Sequence, residues 1–183
     1  MLLAGVRHNG SVVEVIVAES VARLQDVTEL SRGYVAWLVE LDKTLGVYDP
    51  DVFRAYGYEG GEAQLPGEYG APDGCLLLAL VDSRSAGCVA FRRFNPSTCE
   101  MRMLFVHPDF QGQGVGRALV EGLLDAGRRL GYSSMCLETS RHMVSAHRLY
   151  TSLGFREVRK YDEREDALDD IRVFMEQPLV EDR

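Results

Sequence analysis

The run Gln111-Gly112-Gln113-Gly114-Val115-Gly116 constrains this chain more than any other stretch. Ahead of it lies Met101-Arg102-Met103-Leu104-Phe105-Val106, an apolar, strand-like run closed by His107-Pro108. Behind it, residues 117–126 carry apolar side chains at helical spacing. The local order is strand, glycine-rich turn, helix. At such a helix start several backbone N–H groups lack an intrahelical acceptor and converge where the dipole favours an anion. Glycines at 112, 114 and 116 remove Cβ atoms that would hold the anion off the main chain. The stretch reads as a pyrophosphate cradle. It is not a P-loop, because no Gly-Lys-Ser/Thr ends it. Nor is it the dinucleotide fingerprint, because its glycines alternate and it lies in mid-chain.

The rest of the chain reads as a sheet built around that turn. Residues 1–11 carry little signal and fit a leader or an edge strand. Residues 12–18 are β-branched and strand-like. Ser20 caps a helix running to about Leu45, with Leu24, Val27, Leu30, Tyr34, Trp37, Leu38 and Leu41 on one apolar stripe that assigns Trp37 to the core. A short helix is expected within 47–58, after Asp49-Pro50. Residues 65–74 are rich in Pro and Gly and suit a binding loop or an unstructured one. Residues 75–81, 86–94 and 99–106 then form an antiparallel meander. After a helix over 115–130 stopped by Gly131, a strand over 134–139 is expected to pair parallel with 99–106. A helix over 144–153 and a hairpin of 155–161 with 171–176, around an acidic loop, close the chain.

At 183 residues this is one domain, 1–183, with its core at about 12–179. No apolar run approaches the ~20 residues of a membrane span, and no export signal is apparent, so a cytoplasmic location is expected. The four cysteines lie far apart without ligand spacing, so buried thiols are expected and no metal site. A net charge of −8 argues against nucleic acid and suits a cationic acceptor. Oligomeric state is left open, a homodimer included.

Gln111-x-x-Gly114-x-Gly116 follows a strand ending in Val106-His107-Pro108, and Leu149-Tyr150-Thr151-Ser152-Leu153-Gly154-Phe155 lies downstream. Together they resemble the acetyl-CoA motif of the GNAT N-acetyltransferase superfamily. The resemblance extends over residues 12–179 and is most specific over 100–155. It implies an α/β (α+β) fold, with a mixed, mostly antiparallel central sheet of about six to seven strands flanked by helices. It also implies a strand–helix–strand acetyl-CoA crossover at 99–139.

For the site, the resemblance implies that Gln111, Gly112, Gln113, Gly114, Val115, Gly116 and Arg117 hold the phosphates of acetyl-CoA. It implies that the backbone of Leu104, Phe105 and Val106 binds the pantetheine arm, one N–H facing the thioester oxygen. Tyr150 is placed near the sulfur as general acid, a role its ordinary pKa near ~10 permits at neutral pH. Glu138 and Glu100 both occupy positions where family members carry an acid that serves as base. The alternative is that each only binds substrate or faces solvent, the proton leaving through water. Met143 stands where many members have Asn, which makes the loop before it less transferable. The expected activity is transfer of an acetyl group from acetyl-CoA to a primary amine of a small molecule or peptide in a ternary complex. No motif cysteine supports an acyl-enzyme. The alternative is a silent acyl-CoA-binding sensor. The acceptor pocket is expected from residues 47–74 and the C-terminal hairpin, with Glu68 and Tyr69 holding the amine.

Overall fold

Residues 75–81 read as a strand buried on both faces, and every residue of Cys75–Val81 is buried. In the computed structural model, which describes residues 2–8, 11–55, 65–161 and 168–180, this strand lies inside one sheet of eight. The strands are β1 (Leu2–His8), β2 (Ser11–Val17), β3 (Cys75–Val81), β4 (Arg84–Arg93), β5 (Thr98–Val106), β6 (Ser134–Ser140), β7 (Arg156–Val158) and β8 (Arg172–Pro178). Their spatial order is β1-β2-β3-β4-β5-β6-β8-β7. Every pairing is antiparallel except β5 with β6. The expected mixed, mostly antiparallel sheet is present. The leading segment, which the sequence left open, is an edge strand and brings the count to eight.

Helices cover both faces: α1 (Val21–Leu45) on one, α3 (Val115–Arg129) with α4 (Val144–Ser152) on the other, while α2 (Pro50–Ala55) follows α1 in the chain. Side chains alternate across a strand, so β3 feeds both cores. Leu76, Leu78 and Leu80 meet Val27, Leu30 and Val35 of α1. Leu77, Ala79 and Val81 meet Leu119, Val120 and Leu123 of α3. The α1 boundaries follow from its caps. The Ser20 side chain accepts the Arg23 N–H at 3.3 Å, and Gly46 (φ 71°) donates to the Asp42 and Lys43 carbonyls.

The closing hairpin forms, with β8 inserted between β6 and β7. The helix after Asp49 is seen over Pro50–Ala55; its continuation to residue 58 and most of the acidic loop lie outside the described residues. All four cysteines are free and buried. Burial pushes Cys75 up to about 11 and Cys88, Cys99 and Cys136 up to about 12. Among the described residues no helix is long and apolar enough to cross a membrane, and no group of three or more His, Cys, Asp or Glu could hold a metal.

Candidate active site

The site begins where the sheet comes apart. β5 and β6 pair in parallel from Thr98↔Ser134 to Met101↔Leu137 and no further. β6 nevertheless stays paired with β8 as far as Ser140↔Arg172. The cause lies in β5. Met103 takes φ 58°, a left-handed conformation that ordinary side chains rarely adopt, and the β4–β5 register slips between Cys88 and Ala90. Two residues of β5 thus stand opposite one of β4, and the strand bends away from β6. Main-chain groups of the bent segment that point towards β6 lose their ladder partners. Gly87 lets β4 follow the bend: a Cβ there would lie 2.6 Å from the Phe105 carbonyl oxygen.

The bent strand leads through the 3-10 turn Pro108–Phe110 into the glycine run. Gly112 (φ 75°) and Gly114 (φ 79°) are both left-handed. Gly114 is the N-cap of α3; no side chain caps this helix and its first turn holds no acid. Its first N–H groups are therefore available to a ligand anion. Gly116 serves packing, since a Cβ would meet the Leu149 side chain at 3.4 Å.

The side chains around the run bind the protein itself. Gln111 Nε2 donates to the Val106 carbonyl at 3.3 Å and Gln113 Nε2 to the Asp109 carbonyl at 2.9 Å. Arg117 reaches Ser152 Oγ at 2.7 Å and Glu121 at 3.3 Å, joining α3 to α4. What the loop leaves open to a ligand is therefore main-chain N–H at the start of α3.

A cavity of about 440 Å³ fills the gap between β5 and β6. Its floor is Met101–Leu104 and Leu137–Ser140, with α4 on one side. Tyr34, Trp37, Leu38 and Asp42 of α1 form one wall, and Leu168, Ile171 and Arg172 another. Of the residues expected at the site, Leu104, Glu138 and Tyr150 line this cavity. Phe105 turns to the α1 side, its ring 6.0 Å from that of Tyr34, and Val106 packs with the α3 core. Tyr150 is 6% exposed and rests on Phe155, ring centroids 5.8 Å apart. Burial pushes its phenol well above the ordinary value.

The two candidate carboxylates differ in placement. Glu138 faces the cavity and pairs with Arg172 Nε at 3.0 Å; Arg172 also holds Asp169 at 2.8 Å, which Lys160 holds in turn. Glu100 is 1% exposed and does not line the cavity. Arg92 Nε and Arg102 Nη1 hold its two oxygens at 2.8 and 3.4 Å.

Three expectations are corrected. Trp37 is 46% exposed and faces the cavity instead of the core, because α1 extends past the sheet over the gap. Tyr69 is buried in the core under α1, since the turn Gly67–Tyr69 folds back onto β4. Glu68 pairs with Arg92 at 2.9 Å, leaving neither of the two at the cavity. Sequence reasoning missed Asp42, Arg102 and Arg172 as cavity residues. A polar residue one turn after Leu38 on an apolar stripe was the available signal for Asp42.

The Acetyltransferase (GNAT) family profile matches residues 27–155. An uncharacterized N-acetyltransferase of Schizosaccharomyces pombe is 41% identical over 96 residues, 51% of this chain and 59% of that protein. The human N-acetylaspartate synthetase is 33% identical over 120 residues, 63% of this chain and 40% of that protein. The chain thus matches well under two thirds of the length of either relative. The PaiA N-acetyltransferase of Thermoplasma acidophilum, solved in complex with coenzyme A, shares the fold. It superposes with a TM-score of 0.68 at 18% identity, covering 91% of this chain and 98% of that one. The matched profile takes in the bent strand, the uncapped glycine turn and the Tyr150 helix together, so this chain belongs to the Acetyltransferase (GNAT) family.

Proposed function

We propose that the chain is an N-acetyltransferase that moves an acetyl group from acetyl-CoA to a primary amine of a small molecule or peptide within a ternary complex. One observation carries the reading: an uncapped glycine turn ends a strand that has left its parallel neighbour, and the gap opens onto Tyr150. Main-chain N–H groups of residues 112–117 take the diphosphate. The freed backbone of Leu104, Phe105 and Val106 takes the pantetheine arm, and one of its N–H groups faces the thioester oxygen. A donor fixed in advance on a developing oxyanion is commonly worth ~3 kcal/mol.

The amine attacks the thioester carbon, and collapse of the tetrahedral adduct expels the thiolate. Tyr150, kept protonated by burial, donates its proton to that sulfur. A covalent acyl-cysteine is disfavoured by four buried thiols whose pKa values burial raises. Glu138 is the better placed of the two candidate bases because it faces the cavity, whereas both Glu100 oxygens are occupied behind it.

Thiol release from acetyl-CoA across a panel of amines and peptides tests the reading. Stabilisation by CoA with no release from any acceptor would favour a silent acyl-CoA-binding module. Within the enzyme reading, Glu138→Gln is expected to lower kcat about 100-fold or more without changing CoA affinity. Glu100→Gln is expected to act on stability instead, at roughly 3 kcal/mol, because it removes the buried carboxylate charge that Arg92 and Arg102 share. A stable Glu100→Gln protein that has lost turnover would transfer the base role to Glu100.

A further inference from the structure

The charged groups lining the cavity are not equally matched. Arg102 pairs with Glu100, and Glu138 with Arg172. Asp42 is different: it is 9% exposed and faces the cavity, yet no cation or side-chain donor meets its carboxylate among the described residues. Desolvation alone raises it to about 6 from the usual 3.8. A buried, unpaired carboxylate is costly, and a fold of this kind rarely retains one without a partner. Two rings accompany it on the same helix face. Tyr34 and Trp37 both line the cavity, with centroids 6.4 Å apart and planes 27° from parallel. Aromatic faces attract cations and also cover apolar chains.

We propose that Asp42 is the seat of the acceptor's ammonium group, and that the acceptor class is a cationic primary amine on an apolar body lying along Tyr34 and Trp37. The inference rests on the acyl-transfer reading for its meaning, but the binding it describes is measurable without turnover. Trp37 is the sole tryptophan of the chain, so its fluorescence reports this wall.

Titration with phenethylamine and with 2-phenylethanol, equal in shape and different in charge, is the experiment. The wild type should bind the amine at least about 10-fold more tightly, as a charge-assisted hydrogen bond requires. Asp42→Asn should bring the two within about 2-fold, and Asp42→Glu should keep the preference. Lowering the pH through about 6 should erase it in the wild type by protonating Asp42. Arg102, Glu138, His142, Tyr150 and Arg172 face the same cavity, and His142 is the imidazole among them. His142→Gln should therefore leave the pH dependence in place.

Asp42→Asn should also melt higher than the wild type at pH 8, by a margin that shrinks as pH falls from about 6 towards 3.8. A carboxylate serving the fold would give the opposite sign. A wild type without charge preference, an Asp42→Asn protein that retains it, or a lower melting point for that variant overturns the proposal. Failure of the acyl-transfer reading shows separately, as absent CoA binding or absent thiol release with the amine preference intact.

Discussion

Gly114→Glu is expected to abolish CoA binding while leaving the fold intact. Gly114 sits at φ 79°, ψ 0°, where an L residue is strained by about 1 kcal/mol. That alone would weaken the cradle by several-fold. The larger effect is electrostatic. A carboxylate at the start of α3 occupies the place where the dipole and the free N–H groups favour an anion, and so satisfies the helix at the ligand's expense. At ~5 Å and an effective dielectric of ~20, repulsion from one phosphate charge is about 3 kcal/mol, or roughly 100-fold in affinity. Calorimetric titration with CoA measures the loss, and far-UV circular dichroism confirms that α3 persists. Gly114→Ala separates the two effects, because it carries the strain without the charge. Full CoA affinity in Gly114→Glu would show that the anion binds elsewhere.

The strand–glycine turn–helix geometry was legible in the sequence because its parts are contiguous. Strand, positive-φ glycines and helix lie within residues 101–129, and local chain geometry brings them together. The α1 caps at Ser20 and Gly46 and the buried run of β3 were legible for the same reason: each is a local rule acting on neighbouring residues. The α1 wall of the cavity was not legible, because it depends on what lies beneath a helix. The stripe of α1 is continuous, yet Val27, Leu30 and Val35 rest on the sheet while Tyr34, Trp37 and Leu38 border the gap. Periodicity registers a face and not the surface that meets it. The fates of Glu68 and Glu100 likewise turned on Arg92, which is 24 residues from the first and cross-strand from the second. The bend that opens the gap was not legible, since Met103 has no side-chain feature that announces a left-handed backbone.

Tyr150→Phe should lower turnover about 100-fold or more with CoA affinity unchanged, in the range that general acid catalysis supplies. The two effects separate because the ring and the hydroxyl do different work. The ring packs against Phe155 and closes the α4 side of the cavity, and Phe retains that contact. Only the proton is lost. Without it the departing thiolate must be protonated by solvent, which this buried position restricts. The wild-type pH profile supplies a second check. Burial raises the phenol above its ordinary value near ~10, so Tyr150 holds its proton throughout the working range and contributes no alkaline fall in kcat below about pH 10. An alkaline limb near pH 8 would belong to another group. Unchanged kcat in the Phe variant, measured as thiol release at saturating acetyl-CoA and amine, would remove Tyr150 from the acid role and leave the thiolate to depart unprotonated. It would not disturb the proposed cradle, whose groups are the main-chain N–H of residues 112–117 at the start of α3.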